Sequence, residues 1–292
     1  MASPWIARSV LRLALASGAG AVLWGVCVEP RRLEVHSQAL VLDDWPRALS
    51  GLRIAAIADV HGGAPWIDAA ALDRLVDTTN RQRPDLVVLL GDFVIHHVLG
   101  GRFMPPEIVA GHLGRLRAPL GVVAVLGNHD HGLDAPRVRR ALEDRSIRVL
   151  QNQSLEREWG GRRLWLVGVD DVWLNRADIP AALRGVPSDA PTILLVHNPD
   201  VFPNVPPRVA LTLAGHTHGG QVSLPILGPP VVPSLYGQRY AAGHVVEGGR
   251  HLFVTTGVGT SILPLRLGVA PEIALLSLES EPPSLGAGPD RR

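Results

Sequence analysis

The sequence predicts a layered α/β protein with mixed sheets, and three observations predict it. From Leu52 onward the chain carries short runs rich in Val, Ile and Leu, four to seven residues long and mostly without alternation. That is the pattern of strands buried on both faces. Stretches with helical periodicity separate the first of these runs, while the second half is strand-rich. Most runs end in a cluster of Asp, Asn, His and Gly, which places polar chemistry at strand ends.

Taken in order, the chain opens with an apolar block, Leu13–Val28, in which only Ser17 and Cys27 are weakly polar. Counted from Val10, with Arg12 included, the block is nineteen residues long. As a helix it would span about 28 Å, close to a ~30 Å bilayer core. Residues 1–30 are therefore expected to be a transmembrane anchor or signal segment, with a buried core helix as the third reading. Ala19-Gly20-Ala21 looks like a signal-peptidase site but follows too short an apolar stretch. Arg8 and Arg12 before the block and Arg31 and Arg32 after it leave its orientation open. Residues 31–50 read as a connector with one extended segment, Leu33–Leu42.

One domain is expected over residues 51–278. Its strands are the runs Leu52–Ala58, Leu86–Leu90, Val122–Leu126, Leu164–Val169, Thr192–Val196, Val209–Ala214, Leu252–Thr256 and Ile273–Leu278. Ile67–Asn80 repeats Leu72, Leu75 and Val76 at helical spacing. Pro106–Arg117 starts with Pro, where the missing N–H costs nothing. Asp134 is placed to cap a helix over Ala135–Asp144. Residues 279–292, rich in Pro, Gly and Ser, are expected to be a disordered tail.

Composition narrows the chemistry. All 28 basic residues are arginine, which excludes a P-loop ATPase, a Schiff-base enzyme and a kinase built on a strand lysine. The single cysteine, Cys27, excludes an internal disulfide and a thiolate zinc cage. A net charge of +1 gives no field for nucleic acid, and no nucleic-acid partner is expected. Any metal must be held by His, Asp, Glu or Asn, and twelve histidines are available.

Five clusters matter. The first run ends in Asp59-Val60-His61; in extended backbone the two polar side chains face one side. The second ends in Gly91-Asp92. The third ends in Gly127-Asn128-His129-Asp130, an amide, an imidazole and a carboxylate in succession. The fifth ends in His197-Asn198-Pro199. The sixth ends in Gly215-His216-Thr217-His218-Gly219-Gly220, whose histidines share a face if the backbone is extended. Each cluster alone also has a reading as a turn with solvated polar residues, strongest for the first two and weakest for Gly215–Gly220, the most specific of the five. In open α/β folds, however, ligands bind at the carboxyl ends of strands, so all five can converge on one crevice. Together they offer two Asp, one Asn and four His with His129 in reserve, enough for two metals sharing one carboxylate.

That ordered set resembles the calcineurin-like metallophosphoesterase superfamily over roughly Leu52 to Leu278. The segments His216–Gln221, Pro233–Gly237 and Thr256–Ser261 resemble its bacterial membrane-anchored phosphodiesterase branch. The resemblance implies a four-layer αββα sandwich and two divalent metal ions, Mn, Zn or Fe. It implies that Asp59, His61, Asp92 and His218 bind one metal, and Asp92, Asn128, His197 and His216 the other. It further implies attack on a phosphoester by a metal-bridged hydroxide. His129 would protonate the leaving group, with Asp130 fixing its tautomer. His96 and His97 are weak candidates for substrate contact. The Val-Asp-Arg-Gly continuation of Ser/Thr protein phosphatases is missing after Asp92. That counts against a phosphoprotein substrate; the apolar N-terminal span instead points to a lipid-linked or headgroup phosphodiester, at a bacterial plasma membrane reached through the N-terminal helix. A phosphomonoesterase on the same site and a non-catalytic metal-binding membrane protein are the alternatives. Oligomeric state is left open.

Overall fold

The computed structural model describes residues 4–95 and 97–281. In chain order the strands are β1 (Glu34–Leu42), β2 (Leu52–Ile57), β3 (Leu86–Leu90), β4 (Val122–Val125), β5 (Arg148–Val149), β6 (Gln153–Trp159), β7 (Arg162–Gly168), β8 (Thr192–Leu195), β9 (Leu211–Ala214), β10 (Gly243–Glu247), β11 (Arg250–Val254) and β12 (Glu272–Ser280). The helices are α1 (Pro4–Cys27), α2 (Ala69–Arg81), α3 (Pro106–Leu113), α4 (Asn128–Glu143) and α5 (Ile179–Ala182).

The strands form two mixed six-stranded sheets, ordered β1-β12-β2-β3-β4-β5 and β10-β11-β9-β8-β7-β6. In the first, β2 to β5 are parallel and β12 runs against β2. In the second, β7, β8, β9 and β11 are parallel, with β6 and β10 antiparallel at the edges.

Alternate residues of the central strands feed different cores, which explains why their sequences are continuously apolar. Ile54 and Ala56 of β2, Val88 of β3 and Val123 of β4 lie between the sheets with Ile193 and Leu213. Ala55, Ile57, Val87 and Ala124 face the other way, under α2, α3 and α4. Val167, Leu194 and Val254 form a third core beneath α5 and short 3₁₀ turns. The order is helices, sheet, sheet, helical turns, the last layer being thin because α5 has only four residues.

Local signals explain the helices. Asp68 accepts the Ala71 N–H at 2.8 Å and caps α2. Asp134 breaks α4 with φ −175° and ψ 87°, then caps its second half by accepting the Arg137 N–H at 3.0 Å.

Three expectations need correction. Among the described residues no helix is long and apolar enough to cross a membrane. The transmembrane anchor expected over residues 1–30 is therefore not supported; α1 dilutes its apolar residues with Arg8, Ser9, Arg12, Ser17 and three glycines. Its last turn is tied to the body, where Gly25 O accepts the Arg266 N–H at 2.9 Å and Val26 O accepts Trp66 Nε1–H at 2.8 Å. Second, residues 31–50 are more than a connector, because β1 pairs in parallel with β12 along its full length. Third, β12 runs to Ser280 and takes Glu279 and Ser280 out of the expected tail; residues 282–292 of that tail lie outside the described residues.

Candidate metal centre

The five polar clusters sit beyond the carboxyl ends of β2, β3, β4, β8 and β9, all parallel strands, and meet where the two sheets adjoin. The residues converge for a reason the sequence does not display. Asp59, His61, Asp92, His216 and His218 all have left-handed backbone, with φ of 53°, 45°, 55°, 69° and 52°. Side-chain alternation along a strand therefore does not align Asp59 with His61, or His216 with His218; left-handed turns do. Such conformations cost about 1–3 kcal/mol each and concentrate at functional sites.

Two glycines let these turns close. Gly91 has φ +89° and a Cβ there would lie 2.6 Å from Gly127 N. A Cβ on Gly127 would lie 2.2 Å from Asp92 Oδ1. Asp92 is thus seated against backbone that has no side chain.

The side chains form two groups. Asp59 Oδ1 lies 3.4 Å from His218 Nε2 and 4.0 Å from His61 Nε2, and the two imidazole Nε2 atoms are 3.2 Å apart. Asp92 Oδ2 lies 3.2 Å from His197 Nε2, whose other neighbour is His216 Nδ1 at 3.1 Å. Asp92 Oδ2 is also 3.7 Å from His61 Nε2, so one carboxylate serves both groups. Apart from His129 and Asn128, which are partly buried, every member of the set is buried.

Tautomers follow from the partners. A carbonyl can only accept, so His61 Nδ1–H donates to Val94 O at 3.3 Å and His197 Nδ1–H to Leu90 O at 2.7 Å. Both Nε2 atoms are thereby turned inward, that of His197 toward Asp92 Oδ2 at 3.2 Å. Asp59 Oδ1 and Asn128 Oδ1 are buried acceptors without a hydrogen-bond partner. Buried acceptors left unpaired beside inward-turned imidazole nitrogens suit divalent cations. The ligand atoms are nitrogen and oxygen, a set that accepts several transition metals.

Charge is unevenly shared. Burial pushes Asp59 up to about 7, and burial with the nearby Asp92 charge pushes Asp130 up to about 7. Burial opposes charge on Asp92 and His197 too, but their mutual attraction outweighs it. Asp92 is held well below the usual carboxylate range and His197 is raised to about 10. Burial lowers His61 to about 4 and, with the His197 charge, His216 to about 3; burial also holds His218 well below the usual range.

Asp130 does not do what adjacency to His129 suggests. Its Oδ2 accepts the backbone N–H of Asp92 at 2.8 Å and of Gly127 at 2.9 Å, and its Oδ1 accepts that of Phe93 at 2.9 Å. The carboxyl clamps the β3 and β4 loops together. His129 donates its own N–H to Asp92 Oδ1 at 2.9 Å, and its ring Nε2 lies 3.9 Å from Asp92 Oδ2. With a side chain 17% exposed it is the imidazole of this group most open to solvent. His131 pairs with Asp170 at 2.7 Å instead of reaching the centre. His97 is exposed on the loop after Val94; His96 lies outside the described residues.

Arg266 was not among the expected site residues. It is fully buried, its guanidinium donates to carbonyls of Thr256, Gly257 and Gly259, and one nitrogen lies 3.4 Å from His218 Nδ1. Gly259 in turn donates its N–H to Asp59 O at 2.6 Å. The readable signal was a lone arginine in an otherwise uncharged segment, residues 257–271.

Residues 52–220, which contain all five clusters, match the family described as calcineurin-like phosphoesterase. The chain is 32% identical over 275 residues to an uncharacterized metallophosphoesterase, YkuE, of Bacillus subtilis, covering 91% of this chain and 94% of that protein. It is 33% identical over 232 residues to the phosphodiesterase YaeI of Escherichia coli, covering 77% and 82%. A transmembrane protein with metallophosphoesterase domain from Danio rerio is 28% identical over 286 residues, covering 91% of this chain and 62% of that one.

Proposed function

This chain belongs to the calcineurin-like phosphoesterase family, and from that premise we propose that it is a dimetal phosphodiesterase acting on a lipid-linked or headgroup phosphodiester. The observation that carries the reading is the shared carboxylate, Asp92 Oδ2, 3.7 Å from His61 Nε2 on one side and 3.2 Å from His197 Nε2 on the other. In this reading Asp59, His61, Asp92 and His218 hold one cation, and Asp92, Asn128, His197 and His216 the second. When bound, divalent cations acidify water and offset the charge that builds on phosphoryl oxygens.

The residues supply the rest. Nδ1–H bonds to carbonyls hold the His61 and His197 rings with Nε2 inward. His129, tied through its own N–H to Asp92 and partly open to solvent, is placed to give a proton to the leaving oxygen. Asp130 keeps the Asp92 and Asn128 loops in register and is a positioning residue. The similarity to YaeI supports a diester over a monoester. Exposed apolar side chains on α1, among them Leu15, Val22 and Leu23, support an amphiphilic substrate met at a lipid surface.

The test is hydrolysis of bis-p-nitrophenyl phosphate by the manganese- or zinc-loaded protein, beside a chelated sample and the Asp92→Asn variant. Metal-dependent turnover that the variant lacks is the expected result. Faster turnover of p-nitrophenyl phosphate than of the diester would favour the monoesterase. Full metal binding without turnover of either would favour a binding protein.

A further inference from the structure

Three loops leave the candidate metal centre, and two of them carry no exposed charge; the third, residues 97–103, carries the exposed Arg102. From Gln221 to Gln238, directly after His218, there is no Asp, Glu, Lys, Arg or His. Residues 257–271 hold one charged residue, Arg266, and it is fully buried. In a chain that is 19% charged, uncharged loops of this length at a surface are unusual. They are also apolar: Ile226, Leu227 and Ile262 are exposed, as is Leu99 on the loop that follows Asp92.

These loops form one face. Val98 bridges Ile262, and Leu99 N–H donates to Ile262 O at 2.9 Å. Val222 bridges Leu267, and Ser261 N–H donates to Gln221 Oε1 at 2.6 Å. Helix α1 joins them through the bond from Arg266 to Gly25, and it exposes Val22 and Leu23 next to that joint. At its base, Trp24 donates to Glu29, and the Arg31 guanidinium stacks 3.6 Å over the Trp66 ring. Arg31 and Arg102 are exposed at this side. Apolar tips bordered by Trp and Arg are the composition of a bilayer interface, and the bordering charges suit anionic headgroups.

We infer that the face made by residues 97–103, 221–228 and 261–265 with the end of α1 docks on an anionic lipid surface, so that headgroups reach the metal centre from the bilayer side. This rests on the phosphodiesterase reading for its purpose but not for its test. A second copy of the chain seated on these loops would cover the rim of the centre, whereas a lipid surface brings the phosphoester to it. Exposed single tips such as Ile226 enter a soft medium to a depth of about 5–10 Å.

The experiment uses the full chain with Cys27→Ser and one cysteine for an environment-sensitive fluorophore, either Ile226→Cys or Ser188→Cys. Ser188 precedes β8 and so lies at the opposite end of the sheets from the centre. Vesicles of dioleoylphosphatidylglycerol and dioleoylphosphatidylcholine should shift the label at 226 to the blue and leave the label at 188 unchanged. Brominated lipid should quench only the former. In Ile226→Asp/Ile262→Asp the ratio of turnover on a vesicle-borne p-nitrophenyl phosphodiester of dioleoylglycerol to turnover on the soluble diester should fall about tenfold. No shift at 226 overturns the inference. So does an intact protein that sediments as a dimer while the double variant is a monomer. Absence of turnover on both diesters would remove the phosphodiesterase reading, yet the fluorescence would still report docking.

Discussion

Gly127→Ala puts the seating of Asp92 under direct test. The backbone at Gly127, φ −105° and ψ 177°, is open to alanine, so any effect comes from contact. The new methyl would lie 2.2 Å from Asp92 Oδ1, about 1 Å short of an ordinary C···O contact of ~3.3 Å. The carboxylate cannot swing away freely, because Oδ1 accepts the His129 N–H at 2.9 Å. Nor can its backbone retreat: the methyl would also stand 2.7 Å from Asp92 N, which donates to Asp130 at 2.8 Å. Overpacking of this kind costs about 1–3 kcal/mol. A ligand displaced by about 1 Å costs on the order of 10²-fold in turnover. The expected outcome is a folded protein with metal affinity weakened at least about tenfold and kcat/KM down on the order of 10²-fold. Equilibrium dialysis with metal analysis and diester hydrolysis measure both. Gly111→Ala, on α3 with nothing within 4 Å of the added carbon, is the control. If Gly127→Ala binds two metals and turns over like the parent, the Asp92 carboxylate is not held where its ligand role requires.

Other outcomes follow from the same geometry. His129→Ala should retain metal, because its ring stands outside the proposed ligand sets, and lose about 10²–10⁴-fold in rate, the range for a lost general acid; metal analysis with steady-state kinetics checks it. Asp130→Asn replaces one acceptor oxygen by a donor facing backbone N–H groups. It should lower stability by about 1–3 kcal/mol in denaturant titration while the pH–rate limb of His129 stays in place. Metal loading should release protons. Asp59, raised to about 7, and His197, raised to about 10, both hold a proton in metal-free protein below pH 7, and a cation needs both bare. Release should therefore fall from about two protons at pH 5 to about one at pH 9, as Asp59 ionises unaided. Calorimetry in buffers of different ionisation enthalpy measures this, and pH-independent release would contradict the assignment.

The sequence was legible where burial dictates composition. β2, β3, β4, β8 and β9 lie under layers on both faces, so their residues are continuously apolar and their carboxyl ends could be found. β6 and β10 were missed because they are edge strands whose residues are half-buried or exposed, and no apolar run marks them. β5 has two residues and leaves no pattern. Within the site the residue types were legible but their reason for meeting was not. Extended backbone was the natural assumption for Asp59-Val60-His61, and a left-handed turn at an Asp or His has no sequence mark. The work of Asp130 was hidden because its partners are backbone amides, which every residue carries. Arg266 went unnoticed because its partners are carbonyls from a segment with no other charge.

The register of β1 has a consequence for how the protein is made. Glu34 pairs with Glu272 and Leu42 with Ser280, so β1 finds its neighbour well over two hundred residues downstream. β12 also separates β1 from β2 and is the partner that completes both. On a ribosome, β1 and the outer edge of β2 must therefore wait while the rest of the chain emerges, with their N–H and C=O groups unpaired. Such edges invite pairing with other chains, and contacts this distant in sequence form slowly. A nascent chain stopped before β12 would contain every proposed metal ligand while the first sheet still lacked the strand between β1 and β2. Synthesis of those ligands would precede, by some fifty residues, the strand that holds their platform together.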